Sequence, residues 1–303
     1  MNAASGQAGA IVNAMTVDVE DYFQVSAFEN LILRADWPRW PQRVEGNTER
    51  VLDLLGRHGI RATFFVLGWV AEHAPALVRR IADAGHEIAS HGVAHERLTM
   101  LDRMQFRASI VRSKDVLEQL AGMEVSGYRA PSYSIGITTL WAYEELQRAG
   151  YRYSSSIVPI HHDLYGMPAA PRFAFRTQPT GLLEIPVTTV QFLGRNWPCG
   201  GGGYFRLLPY PLFKLGWHRV NRRERRPGVF YFHPWEIDPG QPRVPGVAFK
   251  NRVRHYLNLA HTEVRLERLM RDFRFDRMDR VFADTCHDRY PVVALRDTAL
   301  CAH

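Results

Sequence analysis

The 303-residue chain lacks the features that mark several protein classes. Its three cysteines, Cys199, Cys286 and Cys301, are too few and too dispersed for a disulfide framework or a zinc motif, so we expect a reducing compartment. No apolar run reaches the roughly 20 residues that cross a bilayer. Residues 1–13 also lack a basic segment followed by an apolar core. These absences predict a cytoplasmic protein that does not span a membrane.

The chain also has little that would mark a nucleic-acid-binding protein. Its net charge of +7 comes from 38 Lys and Arg against 31 Asp and Glu, and five arginines lie within Arg219–Arg226. No aromatic side chains alternate with these arginines, so we expect no nucleic-acid partner. The cluster is either a surface for another polyanion or a solvated helix end.

Predicted strands and helices alternate along the chain, and no repeat or low-complexity linker divides it. This order is typical of a parallel sheet or barrel. Turn residues and apolar periodicity predict helices at 47–58, 75–85, 102–120 and 138–149, with further helices near 247–259 and 263–273. The predicted strands are 15–19, 62–67, 86–90, 125–129, 151–157, 182–187 and 229–232.

Two histidines, His91 and His95, follow the predicted strand 86–90 directly. On a helical turn, positions four residues apart share one face, so both imidazoles could reach one ion. Two imidazoles leave a divalent metal short of protein ligands, so a carboxylate must come from elsewhere in the chain. A purely structural pair would have the same spacing, and the pair alone does not decide between the two.

Other polar side chains also follow predicted strands. Asp18 and Glu20 lie at the end of the first strand, Arg129 at the end of the strand 125–129, and His233 after the last. Taken singly, Asp18 could be a turn cap, Arg129 part of a surface ion pair, and His233 a histidine of the core. In a parallel barrel, however, the C-terminal ends of the strands form one face, where active sites are built. Their shared position therefore predicts a metal site with the histidine pair.

The polar residues named above lie in four short segments, 16–21, 85–95, 128–133 and 232–234. These segments resemble motifs of the polysaccharide deacetylases with the NodB homology domain, a carbohydrate esterase type. The resemblance covers roughly residues 15–238 and looks closest to the subfamily encoded beside exosortase and exopolysaccharide loci. It implies a distorted (β/α) barrel at 15–240, between a flexible tail at 1–14 and a C-terminal helical extension at 241–303 packed on the barrel.

The resemblance implies removal of N-acetyl groups from an N-acetylated polysaccharide, oligosaccharide or lipid-linked precursor, with a divalent metal, usually zinc. Asp18 would be the base, His233 the acid, and Arg129 the partner of Asp18. The metal and a backbone N–H near Ser132 would hold the oxyanion. The implied metal ligands are Glu20, His91 and His95, and the candidate substrate-binding residues are Ser132, Tyr133, Trp197 and Trp235.

The chain departs from the family pattern at its first motif. The family has two adjacent aspartates there, whereas this chain has Asp18-Val19-Glu20-Asp21. Alternation along a strand puts Asp18 and Glu20 on one side, so we choose Glu20 as the third ligand, with Asp21 as the fallback.

Three other positions leave questions open. Ser154 stands where close relatives are expected to have an acidic residue, and Glu184 is a candidate for orienting His233. Segment 194–209, with glycine at positions 200–203, is predicted to be a mobile loop or insertion. Two alternative functions therefore stay open: hydrolysis of another amide, such as a cyclic imide or ureide, and sugar binding without catalysis.

Overall fold

The computed structural model describes residues 11–162, 165–282 and 289–295. Their main element is a mostly parallel ten-stranded sheet, so the predicted α/β class is confirmed. Two further strands form a separate hairpin. The strands are β1 (Val12–Val19), β2 (Thr63–Val66), β3 (Glu87–Ser90), β4 (Gly127–Tyr128), β5 (Tyr153–Ser154), β6 (Phe175–Thr177), β7 (Leu183–Glu184), β8 (Thr189–Phe192), β9 (Arg195–Pro198), β10 (Val229–Phe232), β11 (Arg274–Asp276) and β12 (Val292–Val293).

The strand order of the sheet is β10-β1-β2-β3-β4-β5-β7-β6-β12, and β11 pairs with the start of β1. In the described ranges this order is open, because strand pairing joins no strand at one end to one at the other. Next to β10 there is a single bridge, between Tyr231 and Gly201. A Cβ atom on Gly201 would lie 1.9 Å from the Tyr231 carbonyl oxygen, so this close approach requires glycine. Strand pairing thus does not show that the expected distorted (β/α) barrel is closed.

Helices pack against the outer faces of the sheet, and each helix buries one of its sides there. Core strands such as β2 and β3 are buried along their whole length, as expected for a parallel sheet covered on both faces. The helices are α1 (Val44–Arg57), α2 (Gly68–His73), α3 (Pro75–Asp83), α4 (Arg103–Ala121), α5 (Ala142–Arg148), α6 (Gly202–Leu207), α7 (Tyr210–His218), α8 (Phe249–Tyr256), α9 (Leu259–Asp272) and α10 (Met278–Val281). None of the described helices is both long and apolar enough to cross a membrane.

Helix α1 begins three residues before the predicted cap. Asn47 lies inside the helix and donates to Asp238 Oδ2 at 3.2 Å. A residue distant in sequence caps the helix instead. Asp21 Oδ2 accepts hydrogen bonds from the backbone N–H groups of Arg43 at 2.6 Å and Val44 at 2.9 Å. A carboxylate beside a helix N-terminus is favourable for both hydrogen bonding and the helix dipole.

Three predicted boundaries differ in the structure. β1 begins at Val12, so residues 12–14 belong to the sheet and not to a flexible tail. Segment 194–209, expected to be a loop, contains β9 and α6. The C-terminal segment contributes β11 and β12 to the sheet as well as helices. Cys286 and Cys301 lie outside the described residues.

Candidate active site

Neighbouring strands bring the predicted site residues to one edge of the sheet. In the strand pairing, Val17 lies opposite Phe232, and Ser90 lies opposite both Val66 and Tyr128. The residues that follow these strand ends therefore emerge side by side. They are Asp18 and Glu20 from β1, His91 and His95 after β3, Arg129 after β4, and His233 after β10.

Glu20, His91 and His95 form a compact, buried group. One possible ligand atom from each residue lies within 4.8 Å of the other two. His95 Nε2 lies 2.8 Å from Glu20 Oε2, yet that carboxylate oxygen is buried without a hydrogen-bond partner of acceptable geometry among the described residues. Such an oxygen is costly to bury, and a cation held between the three side chains would satisfy it.

The histidine pair is not on a helix, contrary to the helical geometry that its spacing suggested. His91 and His95 lie in an irregular loop after β3. The loop turns back through two left-handed residues, Gly92 with φ of +75° and His95 with φ of +51°. This turn, and not a shared helix face, brings the two imidazoles to 5.4 Å between ring centroids.

The charge states of the group fit a divalent metal. Burial lowers the pKa of His91 to about 4, although the nearby Asp18 opposes this shift. Burial would raise the pKa of Glu20, but His95 and His233 outweigh it and lower the pKa to about 2. His91 Nδ1 donates to the Arg129 carbonyl oxygen at 2.8 Å, which leaves the lone pair on Nε2. A neutral imidazole and an ionised carboxylate are the forms that bind zinc.

Asp18 and Arg129 form a buried ion pair beside this group. Arg129 Nη1 donates to Asp18 Oδ1 at 2.6 Å and to Thr16 Oγ1 at 2.8 Å. Ser155 accepts two further bonds from the same guanidinium, at 3.0 and 3.1 Å, and Phe65 lies under it at 4.0 Å. Because the guanidinium is held on all sides, it fixes the Asp18 carboxylate and leaves Oδ2 for other chemistry.

His233 lies beside the ligand group and is held by Glu236. Its Nδ1 donates to Glu236 Oε1 at 2.8 Å, and Glu236 Oε2 accepts from Arg206 Nε at 2.6 Å. His233 Nε2 lies 3.5 Å from Glu20 Oε1 and 3.9 Å from Asp18 Oδ2. Burial alone would lower the pKa of His233, but Glu20, Glu236 and Asp18 together raise it to about 9.

Glu184 does not orient His233, and this candidate assignment is wrong. The Glu184 carboxylate accepts from the backbone N–H groups of Ser156 at 2.8 Å and Ile157 at 2.9 Å, and from Tyr143 Oη at 3.0 Å. It therefore holds the chain that follows β5. Ser154, which takes the place of an expected acidic residue, is buried and donates to Ser156 Oγ at 2.8 Å.

Asp21, the fallback ligand, does not belong to the ligand group. Its carboxylate accepts hydrogen bonds from three backbone N–H groups, including that of Tyr22 at 2.8 Å. Glu20 and not Asp21 lies with the histidine pair, and its Oε2 is 2.8 Å from His95 Nε2.

A cavity of about 380 Å³ opens over these residues. It is lined by three of the candidate substrate-binding residues, Ser132, Tyr133 and Trp235, whose contact with a substrate stays a prediction. Trp235 also donates from Nε1 to Glu20 Oε1 at 3.3 Å. Trp197 is not among the lining residues, because it lies on β9 of the separate hairpin and its indole donates to the Phe192 carbonyl oxygen. Its predicted contact with a substrate stays a prediction.

The wall formed by Ser132 and Tyr133 has an unusual backbone. Both residues are left-handed, with φ of +52° and +53°. Strained residues of this kind cluster at binding and catalytic sites. The buried Tyr133 hydroxyl has no partner among the described residues, whereas the Tyr133 N–H already donates to the Ala130 carbonyl oxygen at 2.9 Å. This hydroxyl in the cavity wall could therefore form a hydrogen bond with a bound ligand.

The sequence patterns missed two residues of the site. Glu236 has a signal in hindsight, because it lies three residues after His233 and a short helical turn brings such pairs together. Arg206 has none that we recognise. It lies in the glycine-containing segment that showed no periodic pattern, and a tertiary contact alone places it against Glu236.

Two family profiles match consecutive parts of the chain. Residues 36–154 match the polysaccharide deacetylase family. This segment contains the histidine pair and Arg129. Residues 155–283 match a domain of unknown function, DUF3473, which contains His233 and Glu236. Asp18 and Glu20 precede both matches, so the site is assembled from three successive parts of the chain.

Several deacetylases are similar in sequence to part of this chain. Peptidoglycan-N-acetylglucosamine deacetylase of Bacillus cereus is 37% identical over 99 residues, which are 32% of this chain and 36% of that protein. Peptidoglycan-N-acetylmuramic acid deacetylase PdaA of Bacillus subtilis is 30% identical over 107 residues, 35% of this chain and 40% of that protein. The chain thus matches well under half the length of these relatives.

One solved structure agrees with the fold over nearly the whole chain. It is a crystal structure of a candidate polysaccharide deacetylase from Mycobacterium smegmatis, with a TM-score of 0.59. The match covers 90% of this chain and 88% of that one, at 20% identity. At that identity the likeness concerns the fold alone. It extends the shared architecture beyond residue 154, into the segment that matches DUF3473.

Proposed function

We propose that the protein is a metal-dependent N-deacetylase that removes acetyl groups from an N-acetylated polysaccharide or its precursor and releases acetate. The observation that carries this proposal is the group of Glu20, His91 and His95, with Asp18 and His233 beside it in one cavity. A metal-ligand set beside a carboxylate (Asp18) and an imidazole (His233) is suited to amide hydrolysis, because these two groups can accept and donate protons. The curated relatives, which act on peptidoglycan sugars by their names, support a carbohydrate substrate.

Glu20, His91 and His95 would hold the metal, and zinc agrees with one carboxylate and two imidazoles as ligands. When bound, such an ion supplies Lewis-acid chemistry, because it lowers the pKa of water and polarises a carbonyl group. The buried, unpartnered Glu20 oxygen and the neutral His91 support this assignment.

Asp18 would act as the base. Arg129 occupies its Oδ1, so Oδ2 is the oxygen left to take a proton from the attacking water. The buried guanidinium holds the carboxylate in one orientation. Arg129 would thus be a positioning residue, since its contacts are to Asp18 and to the sheet.

His233 would act as the acid. Glu236 holds the proton on Nδ1, which directs the second N–H, on Nε2, toward Glu20 and Asp18 in the cavity. From there it could protonate the nitrogen of the departing amine as the C–N bond breaks. A backbone N–H near Ser132 would stabilise the negative charge that develops on the acetyl oxygen.

The motifs of the sequence resemble the exosortase-locus subfamily, and we therefore extend the proposal to an exopolysaccharide or its lipid-linked precursor. A cytoplasmic location, predicted from the composition, would require the enzyme to meet its substrate before export. Both points stay predictions.

Acetate release from N-acetylglucosamine oligomers, measured together with bound metal, tests the proposal. We expect the wild type to release acetate, chelation to abolish release, and added zinc to restore it. His91→Ala should lose both metal and activity, whereas His73→Ala, at an exposed histidine on α2, should keep both. Undiminished acetate release by metal-free His91→Ala protein would refute the proposal.

A further inference from the structure

The β8–β9 hairpin carries large apolar side chains that are exposed to solvent. Phe192, Leu193 and Trp197 are all exposed, and Leu193 at the tip has 84% of its surface accessible. The Trp197 indole N–H is satisfied inside the hairpin by the Phe192 carbonyl oxygen. The exposed indole ring can therefore be buried against an apolar surface without leaving its N–H unpaired. A monomeric protein rarely leaves such a set uncovered.

Helix α7 extends this apolar set. A Cβ atom on Gly216 would lie 2.7 Å from Cys199 Sγ and 3.2 Å from a methyl carbon of Val190, so the helix packs directly against the hairpin. Leu212 lies one turn before Gly216, on the face that approaches the hairpin. Leu212 and Leu215 are both exposed. We call Phe192, Leu193, Trp197, Leu212 and Leu215 the hairpin surface.

Arginines border the hairpin surface on one side. A short π-helix, Arg219–Arg223, continues α7. Arg172 connects it to the hairpin, because its Nη2 donates to the Thr189 carbonyl oxygen at 2.6 Å and pairs with Glu224 at 3.0 Å.

The arginines beyond this connection carry positive charge at the surface. Arg222, Arg223 and Arg225 are exposed, and none of them forms an ion pair within the described part of the chain. Arg195 adds a further exposed positive charge at the hairpin turn. The arginine cluster of the sequence is thus connected, through Arg172 and Glu224, to the hairpin that carries these exposed apolar side chains.

We propose that the hairpin surface docks on an anionic lipid bilayer. Leu193 and the aromatic side chains would enter the interfacial region, and the arginines would pair with lipid phosphates. A projecting, apolar hairpin tip with a basic border complements the apolar and anionic layers of such a surface. A protein partner or a second copy of the chain would have to offer both features at matching positions.

The hairpin surface adjoins the cavity. Asn196 Nδ2 donates to the Pro159 carbonyl oxygen at 2.9 Å, and the same loop carries His162, which lines the cavity. Leu207, exposed at the end of α6, also lines the cavity. Docking would therefore hold the cavity near the bilayer. That arrangement suits a lipid-linked sugar as substrate. This extension rests on the proposed function, but the docking proposal is independent of it.

Co-sedimentation with vesicles tests docking directly. The full chain is mixed with vesicles of phosphatidylcholine alone and of phosphatidylcholine with phosphatidylglycerol. We expect binding to the anionic vesicles, weakened by high salt because charges are screened. The variant Leu193→Ser should bind roughly tenfold more weakly. Arg222→Gln combined with Arg223→Gln should reduce binding about fivefold per arginine.

Met104→Ser is the matched control, since Met104 is 82% exposed on α4, outside the hairpin surface. It should bind like the wild type. Absence of binding to anionic vesicles, or equal binding by Leu193→Ser and the wild type, would overturn the proposal. So would a dimer that Leu193→Ser dissociates, without vesicle binding. Zinc binding measured on the same samples separates a failure of docking from a failure of the proposed function.

Discussion

His233 Nδ1 lies 2.8 Å from Glu236 Oε1, and this bond fixes which nitrogen of His233 faces the cavity. Glu236 is in turn held by Arg206, whose guanidinium also donates to carbonyl oxygens at the end of α8. The orientation of His233 thus depends on contacts that link the segment after β10 to α6 and α8.

Removing the charge of Glu236 should slow the reaction without preventing substrate binding. The amide introduced by Glu236→Gln could still accept from His233 Nδ1 but would stabilise the protonated ring less. We therefore expect kcat to fall by about one to two orders of magnitude, less than the full contribution of a positioned proton donor, because the amide still orients the ring. Glu236→Ala should lose more, and KM should change little in either variant.

Steady-state kinetics on N-acetylglucosamine oligomers would measure this split. Asp53→Asn, at an exposed position on α1, is a control that should leave kcat unchanged. An unchanged kcat in Glu236→Ala would contradict the role of the His233–Glu236 bond.

Glu20 and Asp21 are adjacent but should respond differently to substitution. Glu20→Ala should abolish metal binding while the chain stays folded. Asp21→Ala removes the acceptor of three backbone N–H groups and should lower the free energy of unfolding by about 0.5–2 kcal/mol or more, as for a lost helix cap. Metal stoichiometry and urea unfolding on both variants would measure the difference. Loss of metal from a well-folded Asp21→Ala protein would mean that the two roles are exchanged.

The buried Glu87 should make stability depend on pH. Burial, aided by Asp279, raises the pKa of Glu87 from 4.5 to about 7. Between these values the folded state binds the additional proton, so Glu87's contribution to stability is present at low pH and is lost as the pH rises toward 7. Glu87→Gln keeps a neutral acceptor for Tyr153 Oη, 2.8 Å from Glu87 in the wild type, and should remove this dependence.

Urea unfolding of the wild type and Glu87→Gln across this pH range would test the prediction. The difference between the two curves matters, because burial also raises the pKa of Asp21 to about 6 and lowers that of His86 to about 4. Parallel curves would contradict the assignment.

Strand positions and the convergence of polar residues could be predicted from the sequence. The apolar run of β2, the proline and glycine that bound α3, and the run of β10 are local signals, and the structure has these elements within a few residues of the prediction. Parallel pairing then brings the residues after each strand to one edge. This is why Asp18, Arg129 and His233 could be grouped from the sequence alone.

What the sequence leaves open concerns contacts that no local pattern encodes. A distorted barrel was expected from the resemblance, and strand pairing does not show it closed, because β4, β5 and β7 have two residues each and Gly201 makes only one bridge to β10. Trp197 was a candidate substrate-binding residue; the pairing of β8 with β9 places it on the hairpin, and its contact with substrate stays a prediction. Arg206 reaches Glu236 across 30 positions of sequence, a distance that periodicity does not span.

Anomalous diffraction from crystals grown with zinc would test the central claim most directly. We predict one strong peak between Glu20, His91 and His95, about 2.0–2.2 Å from the ligand atoms, with His91 bound through Nε2. Zinc bound elsewhere, for example at Asp21, with no peak between these three residues, would contradict the account.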